Sequence, residues 1–223
     1  IGLLRTVPRS YEPDGAELDT PPPTYPAEDS SRNPLQGPVF EALGRLDWHS
    51  LTDEQQLEAL RVCQLALYRL GAPDEATRYE IISRLDEIYP AAKREQNAML
   101  TEIMCYLQAP SAADKGMKLL AASPTQEGQL ELVRSLRFLE AGWTPETRRE
   151  FFEWFLRGLS YKGGVNFANF VKEMKNDAIA RIPETEKAAL ESVIHAPVPS
   201  QVTPLSAKPR PLVKEWKTEE VIP

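Results

Sequence analysis

Between residues 52 and 194, apolar positions recur every three or four residues, the spacing that lines one face of an α-helix. Thr52 begins Thr-Asp-Glu-Gln, the form of a capping box in which Gln55 reaches back. Leu57, Leu60, Cys63, Leu67 and Leu70 then mark one helical face, and Gly71 is a C-terminal stop. Pro73 opens a second helix, with Asp74 and Glu75 suited to its N-terminal dipole. Its expected buried face is Ile81, Leu85 and Ile88, and Pro90 ends it. A third helix is predicted from about Ala92 to Leu107, with Met99, Ile103 and Tyr106 on one stripe. Ser111 is placed to cap a short fourth helix that ends near Ala122. Ser123-Pro124 has the form of a cap and first-turn proline for a fifth, carrying Leu130, Val133, Leu136 and Leu139. Thr144-Pro145-Glu146 repeats that signal for a sixth, with Phe151, Phe155 and Leu159 inward. After Gly163-Gly164 a seventh carries Phe167, Phe170 and Met174. Ile182-Pro183-Glu184 opens an eighth, which fades near Ile194. No run alternates apolar and polar residues over strand length.

Prolines bracket this block. Residues 1–40 hold Pro8, Pro13, Pro21, Pro22, Pro23, Pro26, Pro34 and Pro38, and they are expected to form an extended arm or linker. Residues 196–223 repeat the composition with Pro197, Pro199, Pro204, Pro209 and Pro211, and they are expected to form an extended tail leading to a following domain. Both chain ends are expected to be cuts in a longer protein. Within the block, Gly71-Ala-Pro-Asp-Glu-Ala-Thr77-Arg78 is similar to Gly142-Trp-Thr-Pro-Glu-Thr147-Arg148. The offset of roughly 70 residues is about two helix pairs of HEAT or armadillo size. The expected fold is therefore all-α: a HEAT/armadillo-like helical repeat, or α-solenoid, over residues 41–195, flanked by proline-rich arms. A compact irregular bundle is the competing architecture.

Composition narrows the function classes. The net charge is −7 and the pI about 5.1, so the surface repels phosphate backbones and nucleic acid is not an expected partner. No stretch reaches the roughly 18 apolar residues of a membrane span. His49 and His195 flank the block, and neither has a second ligand at helical or hairpin spacing. The two cysteines, Cys63 and Cys105, lie in apolar helical patterns, as buried thiols or as a pair bridging stacked helices. Phosphate-loop, dinucleotide and nucleophile-elbow motifs are absent, so no catalytic, cofactor or metal residue is assigned. Glu153 and Arg157 are four apart, the spacing of an ordinary helix-surface pair.

The aromatic residues are concentrated in one place. Trp143, Phe151, Phe152, Trp154, Phe155 and Tyr161 cover more than one helical face, so that helix is either sandwiched between layers or docks a partner. In the docking case the interface is expected at Trp143, Arg148, Trp154 and Tyr161. Trp216, outside the helical block, either folds back onto it or anchors a following domain.

Three runs carry a family likeness: Leu67-Tyr-Arg-Leu-Gly-Ala-Pro-Asp-Glu-Ala-Thr-Arg, then Ala141-Gly-Trp-Thr-Pro-Glu-Thr-Arg-Arg-Glu-Phe-Phe-Glu-Trp-Phe, then Tyr161-Lys-Gly-Gly-Val-Asn-Phe. With the tail Pro209-Arg-Pro-Leu-Val-Lys-Glu-Trp-Lys-Thr-Glu-Glu-Val, they resemble the planctomycete-type large secreted haem-binding, membrane-bound dehydrogenase-like (glucose/sorbosone dehydrogenase-like) proteins. The resemblance covers roughly residues 41–223. It implies a HEAT-like region between a β-propeller and a c-type cytochrome domain, in a periplasmic or secreted protein. It implies protein partners bearing haem c and no cofactor in this chain, because Cys-x-x-Cys-His does not occur here. The role implied is a non-catalytic module that positions a haem electron-transfer domain. The alternatives are a non-catalytic oxidoreductase subunit contributing to a shared active site, and an assembly protein whose arms bind neighbouring copies as an oligomer.

Overall fold

A computed structural model of the chain describes residues 33–197. Residues 1–32 of the expected arm, and the expected tail from residue 198 with Trp216, lie outside the described residues. The described residues form α-helices and no strand. The helices are α1 (Gln36–Gly44), α2 (Asp53–Leu70), α3 (Glu75–Ile88), α4 (Arg94–Tyr106), α5 (Ala112–Ala122), α6 (Gln126–Leu136), α7 (Pro145–Gly158), α8 (Phe167–Ile179) and α9 (Glu184–Ile194), with a single 3₁₀ turn at Trp48–Ser50.

Helix α1 corrects the expected arm boundary at residue 40. Pro38 sits in its first turn, where a backbone N–H has no intrahelical partner to lose. Phe40 is buried, and the Gln36 side chain donates to the carbonyls of Gly71 (2.8 Å) and Ala72 (3.0 Å) at the end of α2. Helical packing therefore begins inside the proline-rich stretch.

Local capping chemistry explains four of the eight other starts. The Thr52 hydroxyl accepts from the Gln55 N–H, while the Gln55 side chain accepts from the Thr52 N–H at 2.9 Å. Asp74, rather than Pro73, caps α3 by accepting from the Thr77 N–H at 2.8 Å. Thr144 caps α7, with Pro145 in its first turn. Two expected caps fail. Thr125 caps α6 in place of Ser123-Pro124, accepting from the Gly128 N–H at 3.1 Å. Ser111 makes no cap bond, because its hydroxyl donates to Asp86 on α3 instead.

The expected buried faces shift in several helices; on α4 the buried apolar side is Leu100, Ile103 and Met104, with Met99 and Tyr106 half-buried. On α3 it is Ile82 that is buried, with Tyr89 just beyond, while Ile81, Leu85 and Ile88 are half-buried. On α8 the inward residues are Val171, Met174 and Ala178; Phe167 is half-buried and Phe170 is 46% exposed. Leu139 is buried although it lies past the end of α6.

Helices two apart in sequence lie side by side: α1 with α3, α2 with α4, α4 with α6, α5 with α7, and α7 with α9. The N-terminal ends of α2, α4 and α6 form one edge. Lys93 pairs with Asp53 at 3.3 Å, Gln96 Nε2 donates to Gln56 Oε1 at 2.7 Å, and Arg94 pairs with Glu131. At the opposite edge the Tyr68 hydroxyl donates to Glu102 Oε1, and Gln108 Nε2 donates to the Phe138 carbonyl at 2.9 Å. The three helices therefore run parallel.

The two copies of the repeated segment share some local features and differ in others. Gly71 and Gly142 both have positive φ, 89° and 74°. Thr77 and Thr147 are the third residues of α3 and α7, and the next residue in each is an arginine. Arg78 Nη1 donates to the Leu107 carbonyl at 2.8 Å and Arg148 Nη2 to the Glu140 carbonyl at 3.2 Å. Arg78 thus reaches forward to the residue after α4, whereas Arg148 reaches back to the stretch after α6, so the two arginines are not equivalently placed.

Candidate functional site

The aromatic residues expected at an interface come from α7 and its flanking turns. Helix α7 has α5, α8 and α9 around it, so both of its apolar faces are interior. Phe151, Phe152, Trp154 and Phe155 are among the largest fully buried side chains.

Trp154 is 0% exposed and its Nε1 donates to Gln129 Oε1 at 2.8 Å. The Tyr161 hydroxyl donates to that same oxygen at 2.5 Å, and the two rings meet edge to face at 5.9 Å. Gln129 completes itself by donating to the Ser123 carbonyl at 2.9 Å. Burial raises the Tyr161 phenol above its ordinary range. Trp143 is half-buried, its Nε1 donates to the Leu139 carbonyl at 2.8 Å, and its ring lies 5.1 Å from that of Phe151. Arg148 is 4% exposed, with its guanidinium 5.5 Å from the Trp143 ring and Nε 2.9 Å from Glu186 Oε2 on α9. Burial lowers the Arg148 pKa, and the charges of Glu186 and Glu140 oppose that. Trp143 with Arg148 and Trp154 with Tyr161 therefore form two clusters on the interior side of α7, joined through the rings of Phe151 and Phe155. Trp216 lies outside the described residues.

The surface of α7 that does reach solvent carries Arg149, Glu153, Leu156 and Arg157. With Ser192, Val193 and Ala196 from the end of α9 it lines an open groove of about 480 Å³. Arg149 is held in place by donating to the Ala189 carbonyl at 2.8 Å. Glu153 and Arg157, expected to pair with each other, are both exposed and instead line the groove. The groove presents two cations and a carboxylate beside Leu156, Val193 and Ala196. The sequence holds half of the signal, since Arg149, Glu153 and Arg157 share a face at helical spacing. The α9 half arrives only through packing.

Cys63 on α2 and Cys105 on α4 are free, buried thiols. Burial pushes the Cys63 thiol up to about 12, and burial with the nearby Glu102 charge pushes Cys105 up as well. Only the thiolate is nucleophilic. Neither cysteine is expected to react with a thiol-specific disulfide reagent at neutral pH in the folded chain, and both are expected to react in denaturant. A fast native reaction at either position would contradict this burial. A c-type haem needs two cysteines and a histidine in one short run. These two cysteines lie on separate helices, and His49 and His195 are both exposed, so the residues present do not fit haem c. Among the described residues, no group of three or more histidine, cysteine or carboxylate residues is arranged to hold a metal. No described helix is long and apolar enough to cross a membrane.

No protein-family model matches the chain, and no curated protein and no solved structure matches it either.

Proposed function

We propose that this chain is a HEAT/armadillo-type α-solenoid module that does no chemistry of its own and positions a protein partner. The observation that carries the reading is the packing order: helices two apart lie side by side, and the α2–α4–α6 row is stitched at both edges by polar side chains. Stacks of this kind bury each helix pair only against its neighbours and leave long surfaces for partners. The groove between α7 and α9 is the partner surface of this reading, because its arginines and carboxylate are exposed and Leu156 and Ala196 are partly exposed between them.

The family likeness in the sequence makes the partner a c-type haem electron-transfer domain, in a larger periplasmic or secreted redox protein that also carries a β-propeller. Intact mass and a visible spectrum of natively purified material test this. The expected result is a mass well above 25.1 kDa together with a c-type Soret band. A mass near 25.1 kDa with no visible absorbance, and no haem protein co-purifying, overturns the haem partner. Arg149→Glu with Arg157→Glu reverses the groove's charge and is expected to release a bound partner without lowering helix content. Unchanged co-purification would move the partner surface elsewhere.

A further inference from the structure

Four large hydrophobic side chains are exposed among the described residues: Leu46, Tyr79, Val165 and Phe170. Two of them sit together in sequence at the start of α8. Val165, in the turn into the helix, is 101% exposed, and Phe170, in its first turns, is 46% exposed. Val171, Met174 and Ala178 fill the inward side of the same helix. Helix α8 lies beside α6. Gln126 Nε2 donates to the Lys162 carbonyl at 2.8 Å near one end, and Arg137 pairs with Asp177 at 3.0 Å near the other. Continuing the alternate-helix order would put the next segment of the chain on the far side of α8.

The chain leaves α9 against α8. Lys175 Nζ on α8 donates to the carbonyl of Ile194, the last residue of α9, at 2.5 Å. Residues 198–223 carry Val202, Leu205, Leu212, Val213, Trp216, Val221 and Ile222. Pro199, Pro204, Pro209 and Pro211 are incompatible with a continuous helix there. A proline-rich extended segment loses little entropy on docking. At ~3.3 Å per residue, the stretch from residue 198 to Trp216 is longer than α8, whose 13 residues span ~20 Å. Reach does not limit the contact.

We propose that the outer face of α8, with Val165 and Phe170, is the seat of the chain's own segment 198–223, anchored by Trp216. This surface is distinct from the α7–α9 groove, so it stands whatever partner the groove takes.

Limited tryptic digestion of the full chain tests it, reading cleavage after Lys214 and Lys217, which are not followed by proline. Both bonds are expected to be protected. Phe170→Asp and, as a second variant in a turn, Val165→Asp are each expected to speed cleavage on the order of tenfold, since cleavage tracks the open population. Trp216→Ala is expected to match them, and Phe170→Asp combined with Trp216→Ala to be no faster than either alone. Tyr79→Asp on α3, an exposed apolar residue outside the α8 face, is expected to change nothing. Circular dichroism checks that each variant keeps its helices. Unchanged cleavage in Val165→Asp and Phe170→Asp, or additive effects of Phe170→Asp and Trp216→Ala, overturns the proposal. So does protection that disappears on dilution, which would put a second copy on this face.

Discussion

Replacing Trp154 by alanine is expected to destabilise the helical domain by about 3–5 kcal/mol, a large share of the 5–15 kcal/mol typical of a folded domain. The indole has no solvent exposure, and it meets Phe155 at 5.3 Å and Tyr161 at 5.9 Å, both edge to face. Its six-membered ring packs so closely over Gly158 that a Cβ there would fall 2.8 Å from the ring. Alanine leaves a cavity bounded by helices that other contacts hold in place, so the site cannot fully collapse. The change also removes one of the two donors to Gln129 Oε1. Trp154→Phe separates the two effects, because it keeps most of the volume and loses the donor. Its expected cost is about 1–3 kcal/mol. Denaturant unfolding followed by circular dichroism measures both. A loss below about 1 kcal/mol for Trp154→Ala would mean that the side chain is not core, and would return it to the candidate interface.

The features legible in the sequence are those whose physics is local. The Thr52–Gln55 box and the Thr144 cap depend only on residues three apart, and both form. Helix α1 was not legible, because Gly37 and Pro38 weaken any helical signal and the bonds that anchor Gln36 come from the distant end of α2. On α3, Ile81 and Ile82 are adjacent, so periodicity fits either face; Tyr89, whose hydroxyl lies 2.9 Å from that of Thr101, marks the side facing α4. Phe170 fits the apolar stripe of α8 yet is exposed, because no described element covers that flank. The candidate site obeys the same rule. A helix apolar on two faces is the same sequence signal whether it is sandwiched or docking, and only the placement of α5, α8 and α9 around α7 decides between them. The α7–α9 groove was invisible for the converse reason: each wall alone is an ordinary charged or mixed surface, and the concavity belongs to the pair.

Gly142→Ala is expected to destabilise the fold by about 3 kcal/mol or more, although the substitution adds a single methyl group. The backbone there has φ of +74°, a left-handed conformation that costs an L side chain roughly 1–2 kcal/mol. The second penalty is steric. A Cβ on Gly142 would lie 1.9 Å from the Pro110 carbonyl oxygen and 2.6 Å from its carbon, both backbone atoms that no rotamer change can move aside. Gln108 prevents the two turns from drifting apart, since its Nε2 donates to the Phe138 carbonyl while its Oε1 accepts from the Glu140 N–H at 2.8 Å. The repeated segment supplies a comparison. Gly71 also has positive φ, +89°, but the nearest atom to its Cβ position is the Gln36 side-chain nitrogen at 4.0 Å. At Gly71, however, ψ is 178°, a region essentially reserved for glycine, so Gly71→Ala carries a backbone penalty of its own and no steric overlap, and the two costs differ in kind. A cost for Gly142→Ala of no more than about 1–2 kcal/mol in denaturant unfolding, the backbone penalty alone, would mean that the α4–α5 and α6–α7 turns are not in contact at Pro110. Side-by-side stacking of the α4–α5 and α6–α7 pairs, on which the helical-repeat reading depends, would fail with that contact.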